Sequence, residues 1–189
     1  MTKPRAKAGA GHQGYFSALL VLVVSVAFGL FVLPRLGKRV AHSDSPLVGR
    51  PAPDFMLRAF HGRELGKELR LSDSQGKTVL LDFFASWCAP CREQAPIVDR
   101  VARRLAGSGL VVYGVNTSDQ LLDAKEYLEA HPPSYPVLFD GDNQGANAFG
   151  VTGLPTLLVI DKQGIVRAVE MRVVGESELE SLIRAAQAS

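Results

Sequence analysis

Val79-Leu80-Leu81-Asp82-Phe83-Phe84-Ala85-Ser86-Trp87-Cys88-Ala89-Pro90-Cys91 is the stretch on which the reading of this chain turns. Its first seven residues, VLLDFFA (79–85), are a near-continuous apolar run of strand length, as expected for a strand buried on both faces. The only two cysteines of the chain follow it, three positions apart. Chance placement of a pair at that spacing is about 1%. Structural thiols would not need the spacing. A zinc site needs about four ligands, and the domain adds only His61 and His131, so no metal is expected.

A redox dithiol fits best, because its neighbours have physical roles. The pair follows a strand and opens a helix, recognised by Ile97, Val98, Val101 and Leu105 at helical spacing and closed by Gly107 and Gly109. Unpaired N–H groups and the positive end of the helix dipole then stabilise a thiolate on the first cysteine. Pro90 sits in the first turn, where its missing N–H is harmless. Cys88 is expected to be the exposed attacking thiol and Cys91 the shielded thiol that resolves the mixed disulfide. Trp87 reads as partial cover for the site, with a plain core tryptophan as the alternative. Asp82 lies in mid-strand, where a carboxyl without a partner holds its proton near neutral pH. It can serve Cys91 as proton acceptor, or be a structural aspartate bonded to a loop. Pro155, directly before the apolar run TLLVID (156–161), is open between a trans proline and a cis bond turning Leu154 toward a substrate chain.

Outward from this centre the chain reads as α/β. Phe55–Leu57 and Glu68–Leu71 are short strand candidates, 72–77 a loop, and LVVYGV (110–115) a second buried strand. Asn116–Asp119 offers caps for a helix marked by Leu121, Ala124, Tyr127 and Leu128. Pro136–Phe139 reads as an edge strand and Asn143–Phe149 as a short helix. TLLVID, the turn 162–164 and IVRAVEMRVV (165–174) read as an antiparallel hairpin. Ser177 and Glu180 form a capping-box pattern before Leu179, Leu182, Ile183 and Ala186 on one helix face. A mixed sheet with helices on both faces follows.

Upstream, YFSALLVLVVSVAFGLFVL (15–33) has no charge and 16 hydrophobic residues in 19. A helix of that length spans about 30 Å, the thickness of a bilayer core. A core helix would show a polar face, and a signal peptide would end at a small-residue cleavage site. Here Pro34-Arg35 and Lys38-Arg39 follow, so an uncleaved anchor is expected. Residues 1–14 are then a short cytoplasmic tail, 34–50 a linker with a proline-rich end, and 51–189 the exported domain. Residues 1–43 carry six basic and no acidic side chains, leaving 15 basic and 19 acidic ones beyond. A mildly acidic domain has no electrostatic footprint for nucleic acid.

The stretch Asp82–Arg92, with Pro96 five residues after Cys91, resembles the active-site strand and first helix of thioredoxin. Gly153-Leu154-Pro155-Thr156 resembles its cis-proline loop. PAPDF (51–55) and the segment 114–156 are similar to the N-terminal extension and central insert of the membrane-anchored TlpA, ResA and CcmG branch of bacterial thiol-disulfide oxidoreductases. The resemblance covers roughly 51–188 and implies an α/β thioredoxin fold preceded by one transmembrane helix. It implies Cys88 and Cys91 as the redox pair, which form the redox-active disulfide with no other cofactor. It also implies Asp82 as proton acceptor, and Trp87, Ala89, Pro90, Leu154 and Pro155 at the substrate. The branch usually has glutamate three residues after the second cysteine, where this chain has Gln94, so that role is not transferred. The expected place is a bacterial inner membrane with the domain periplasmic. The expected activity is reduction of disulfides in exported proteins, such as cytochrome c or oxidase copper-site cysteines. A membrane thiol-electron donor of the DsbD/CcdA kind is implied as partner. The rivals are a thiol oxidant and a module carrying copper on two soft thiolates.

Overall fold

The structure, a computed structural model, describes residues 20–26 and 45–189. The expected tail and most of the anchor and linker lie outside these residues. Residues 20–26 are helical, with Leu20, Val21, Leu22, Val23, Val24 and Val26 each more than half exposed. Among the described residues no helix is long and apolar enough to cross a membrane.

From residue 45 onward the chain forms one compact unit. Its strands are β1 (Met56–His61), β2 (Glu68–Arg70), β3 (Thr78–Phe84), β4 (Leu110–Thr117), β5 (Val137–Asp140), β6 (Thr156–Ile160) and β7 (Val166–Glu170). Its helices are α1 (Ala89–Arg104), α2 (Leu121–Ala130), α3 (Gln144–Ala148) and α4 (Glu176–Gln187). The strands make one sheet in the order β2-β1-β5-β4-β3-β6-β7. β3, β4 and β5 run parallel, while β6 and β1 run antiparallel to β3 and β5, respectively. This is the expected mixed sheet of a thioredoxin-like α/β fold.

Strand alternation decides what faces what. Val79, Leu81 and Phe83 point into a core shared with Phe149 and with Phe55 and Leu57 from the N-terminal extension. Leu80 points the other way, into the core built by Val98 and Val101 of α1 and Leu179, Leu182 and Ile183 of α4. Phe84, also even-numbered, packs with Cys88 and Cys91. Asp82 lies between Leu80 and Phe84 on that face, beneath the helix that carries the cysteines.

Several local expectations are corrected. β5 is not an edge strand, because β1 pairs along its outer side through Arg58↔Phe139 and Ala59↔Leu138. Residues 71–74 are a 3-10 turn rather than open loop. α4 begins at Glu176 with Gly175 at its N-cap and no side-chain cap. Glu180 is drawn instead into ion pairs with Arg104 and Arg184, while Glu176 pairs with Arg100 and Arg104. The last strand ends at Glu170 rather than Val174, since Val174 is held by a side chain of α1. The domain end of the linker is docked: Gly49 N–H donates to the Val166 carbonyl, and Val166 N–H donates to the Arg50 carbonyl.

Candidate active site

β3 ends at Phe84, and Ala85–Cys88 turn the chain into α1. Cys88 is the N-cap of α1, and its Sγ accepts the Cys91 N–H at 3.2 Å. Ala89 and Pro90 occupy the first turn, as the helix-opening reading required. The two sulfurs are bonded to each other, with the Cα atoms 5.3 Å apart. Pro96 lies inside α1, where it removes one backbone donor.

The expectation of an exposed Cys88 is corrected for this disulfide state. Cys88 is 3% and Cys91 2% exposed, both packed with Phe84, Ala85, Tyr127 and Val137 and touched by Phe60 and Leu154. The open face is supplied by its neighbours: Ala89 and Pro90 are exposed, and Trp87 is 63% exposed. The core alternative for Trp87 therefore fails. Its indole N–H donates to the Ser118 carbonyl at 2.9 Å, which fixes the ring at the rim.

The Leu154–Pro155 bond is cis. Thr156 pairs with Phe83 across β6 and β3, which carries the preceding loop alongside the start of α1. Thr156 Oγ1 donates to the Gly153 carbonyl at 2.7 Å and closes that loop. Leu154 is half-buried against the cysteine cluster, and Pro155 is buried.

Asp82 is 3% exposed, and burial pushes its carboxyl up to about 7, with a Tyr135 hydrogen bond pulling the other way. At neutral pH it can therefore both hold and release a proton. Tyr135 lies in the loop before β5, so the alternative of an aspartate bonded to a loop also finds its partner in the structure. Tyr135 itself is raised well above the usual phenol range, first by burial and then by the negative charges of Asp82 and Asp99.

Three further residues shape the site through contacts that the sequence did not show. Asp119 does not cap α2. Its carboxylate accepts the Ser86 N–H at 2.5 Å, the Ser86 hydroxyl at 2.9 Å and the Asn116 amide at 2.8 Å. The β4–α2 loop thus clamps the turn that precedes Cys88. Arg92 donates to the Ser86 carbonyl at 3.0 Å from the other side and stands 5.8 Å from the Tyr127 ring centre. Gln94, fully buried, bonds Val174 both ways: its amide donates to the carbonyl at 3.3 Å, and its oxygen accepts the N–H at 2.6 Å. A carboxylate there could make only the second bond. Among the described residues, no group of three or more His, Cys, Asp or Glu is arranged to hold a metal ion.

Residues 48–169 match the AhpC/TSA family. The chain is 32% identical over 153 residues to the thiol-disulfide oxidoreductase ResA of Geobacillus thermodenitrificans, covering 78% of this chain and 86% of that protein. It is 34% identical over 162 residues to the thiol:disulfide interchange protein DsbE of Pseudomonas fluorescens biotype C, covering 84% and 83%. Among solved structures, a thiol:disulfide interchange protein of the thioredoxin family from Chlorobium tepidum TLS superposes with a TM-score of 0.65 at 28% identity. That match covers 76% of this chain and 99% of that one.

Proposed function

The chain belongs to the AhpC/TSA family and is a thiol-disulfide oxidoreductase of the ResA/DsbE type, and from that premise we propose that it is a membrane-anchored reductant of disulfides in exported proteins. Tyr15–Leu33 is the anchor; its described part is a helix of exposed apolar side chains, as suits a lipid surrounding. The domain stands on the outer side of a bacterial inner membrane.

The reduced Cys88 thiolate attacks a substrate disulfide, forming a Cys88–substrate bond and releasing the other substrate sulfur as a thiolate. Cys91 then attacks Cys88, its proton passing to the Asp82 carboxylate and the electron pair leaving on the second substrate sulfur. The substrate gains two electrons, and the enzyme ends as the disulfide seen here. Leu154-Pro155 and the exposed Trp87, Ala89 and Pro90 form the face that receives the substrate backbone. The disulfide is the only redox group required. A membrane thiol-electron donor of the DsbD/CcdA kind must reopen it, because an exported dithiol has no reducing pool of its own. Cytochrome c precursors and oxidase copper-site cysteines are the proposed clients.

The carrying observation is the Cys88 sulfur seated on the Cys91 N–H at the start of α1, with the Asp82 carboxyl buried beneath that helix. The test is the reduction potential in defined thiol buffers. A value below roughly −200 mV is expected of a reductant, whereas one near about −120 mV would mark an oxidant and reverse the direction proposed. If no disulfide formed at any poise, and the dithiol bound Cu(I) one to one, the copper module would replace the enzyme reading.

A further inference from the structure

We infer that Tyr135 is a positioning residue for the exchange at Cys91: its hydroxyl donates to the Asp82 carboxyl and holds that group ready to receive the thiol proton. This rests on the reading of Asp82 as proton acceptor given above. Tyr135 is 6% exposed and sits in the apolar core between the sheet and α1/α4, with Val98, Val101 and Leu157. A hydroxyl in such a place needs a partner, and the strand pairing sets Gly114, against which the ring packs, beside Asp82.

Three features build this contact. Gly114 is the β4 residue in register with Asp82. A Cβ at Gly114 would stand 3.2 Å from Val137 Cγ2 and 3.3 Å from both Phe84 Cε1 and Tyr135 Cε2, so the ring is one of three groups that fill the space the missing side chain leaves. The residue after Tyr135 is stitched to that same point, Gly114 N–H donating to the Pro136 carbonyl at 3.0 Å. The residue before it is stitched to α1, Ser134 N–H donating to Asp99 Oδ1 at 2.7 Å. Tyr135 is thus held from one side by the strand beside Asp82 and from the other by the helix that carries Cys91.

The titratable surroundings of Asp82 are accounted for element by element. Tyr135 comes from the loop before β5, Tyr127 from α2, and Cys91 heads α1 on the same face. Asp99 of α1 bears on Tyr135, and Arg92 of α1 bears on Tyr127. Of these, the Tyr135 hydroxyl is the group that hydrogen-bonds the carboxylate and favours its charged form. Without it the carboxyl keeps its proton to higher pH, and fewer molecules can accept one from Cys91.

The experiment uses the full chain in mild detergent, reduced and then loaded at Cys88 with thionitrobenzoate. Release of the thionitrobenzoate anion reports the attack by Cys91, followed over about pH 5 to 9. Y135F is expected to move the midpoint up by about one unit and to slow release about tenfold below the midpoint, with the high-pH rate kept. D82N is expected to abolish the limb, and D82N/Y135F to match D82N alone. If D82N abolishes the limb but Y135F leaves the midpoint within a few tenths of a unit, the Tyr135 inference is overturned while the Asp82 reading stands. If D82N leaves the limb intact, the Asp82 reading falls first and takes the inference with it. Should Y135F not fold, G114A crowds the ring while keeping the hydroxyl. It is expected to raise the midpoint in the same direction, and an unchanged midpoint would overturn the inference.

Discussion

Replacing Asp82 by Asn should make the oxidised protein more stable in alkali, by an amount the structure sets. The carboxyl is buried in mid-sheet and held up to about 7, against an ordinary value of 3.8. Because the folded protein binds this proton more tightly than the unfolded chain, stability is lost as pH rises from about 3.8 to about 7 and stays lost above it. The gap is worth about 4 kcal/mol once the group is fully ionised. At pH 5 less than half of that penalty has developed. Asn has no such titration, so the stability advantage of D82N over the parent should grow by roughly 2 to 3 kcal/mol between pH 5 and pH 8. Taking the change between two pH values cancels whatever Asn gains or loses in its own hydrogen bonds with Tyr135. The assay is urea unfolding of the full chain in mild detergent without reductant, at both pH values. Equal advantages at the two pH values, within about 0.5 kcal/mol, would show that Asp82 is not a desolvated carboxyl. The same variant should resolve mixed disulfides slowly, so stability gained and turnover lost come from one group.

Two other substitutions probe the frame around the cysteines. Q94E should destabilise by about 3 kcal/mol at pH 7, since a buried carboxylate leaves the Val174 carbonyl unpaired. That loss should shrink toward pH 5, where a protonated Glu can donate again; denaturation midpoints at the two pH values check it. W87A should lower stability by about 1 kcal/mol or less, as the ring is mostly exposed and makes one hydrogen bond. It should raise KM for a protein disulfide several-fold and leave turnover of a small disulfide nearly unchanged, read in parallel reductase assays.

What the sequence disclosed follows from how local each signal is. VLLDFFA carries its unbroken apolar run, and the Leu179/Leu182/Ile183/Ala186 stripe its helical spacing, within a few residues, and both elements appear where those patterns put them. The Cys88–Cys91 spacing, Pro90 in the first turn and the misplaced Asp82 are equally local. The position of β5 is not: whether a short apolar run lies at an edge depends on β1, some 80 residues earlier, pairing with it. Asp119 misled for a related reason. An Asp just before a helix is a good cap in isolation, but here the unpaired Ser86 N–H in the turn after β3 competes for it and wins. Glu180 was lost from its capping box to Arg104 in the same way. Tyr135 does have a sequence signal. An isolated glycine in an apolar strand, Gly114 within LVVYGV, marks close approach by another group, and its register with Asp82 names the place.

The cysteine motif therefore states the chemistry, while residues outside it govern its geometry and its proton. Ser86 is held through two groups by Asp119 from the β4–α2 loop and through its carbonyl by Arg92 of α1, so the turn before Cys88 is fixed on both sides. Trp87 is fixed to that same loop through Ser118. The carboxyl beneath Cys91 is met by a tyrosine whose neighbours are tied to α1 and to β4. All but one of these controlling contacts, Arg92 apart, come from residues 114–136, which run from the end of β4 through α2 to the loop before β5. A shift of this segment would loosen the active-site turn and the Asp82–Tyr135 contact together. One loop therefore holds both the Trp87 rim and the turn before Cys88, and the chain continuing from it holds the tyrosine beside Asp82.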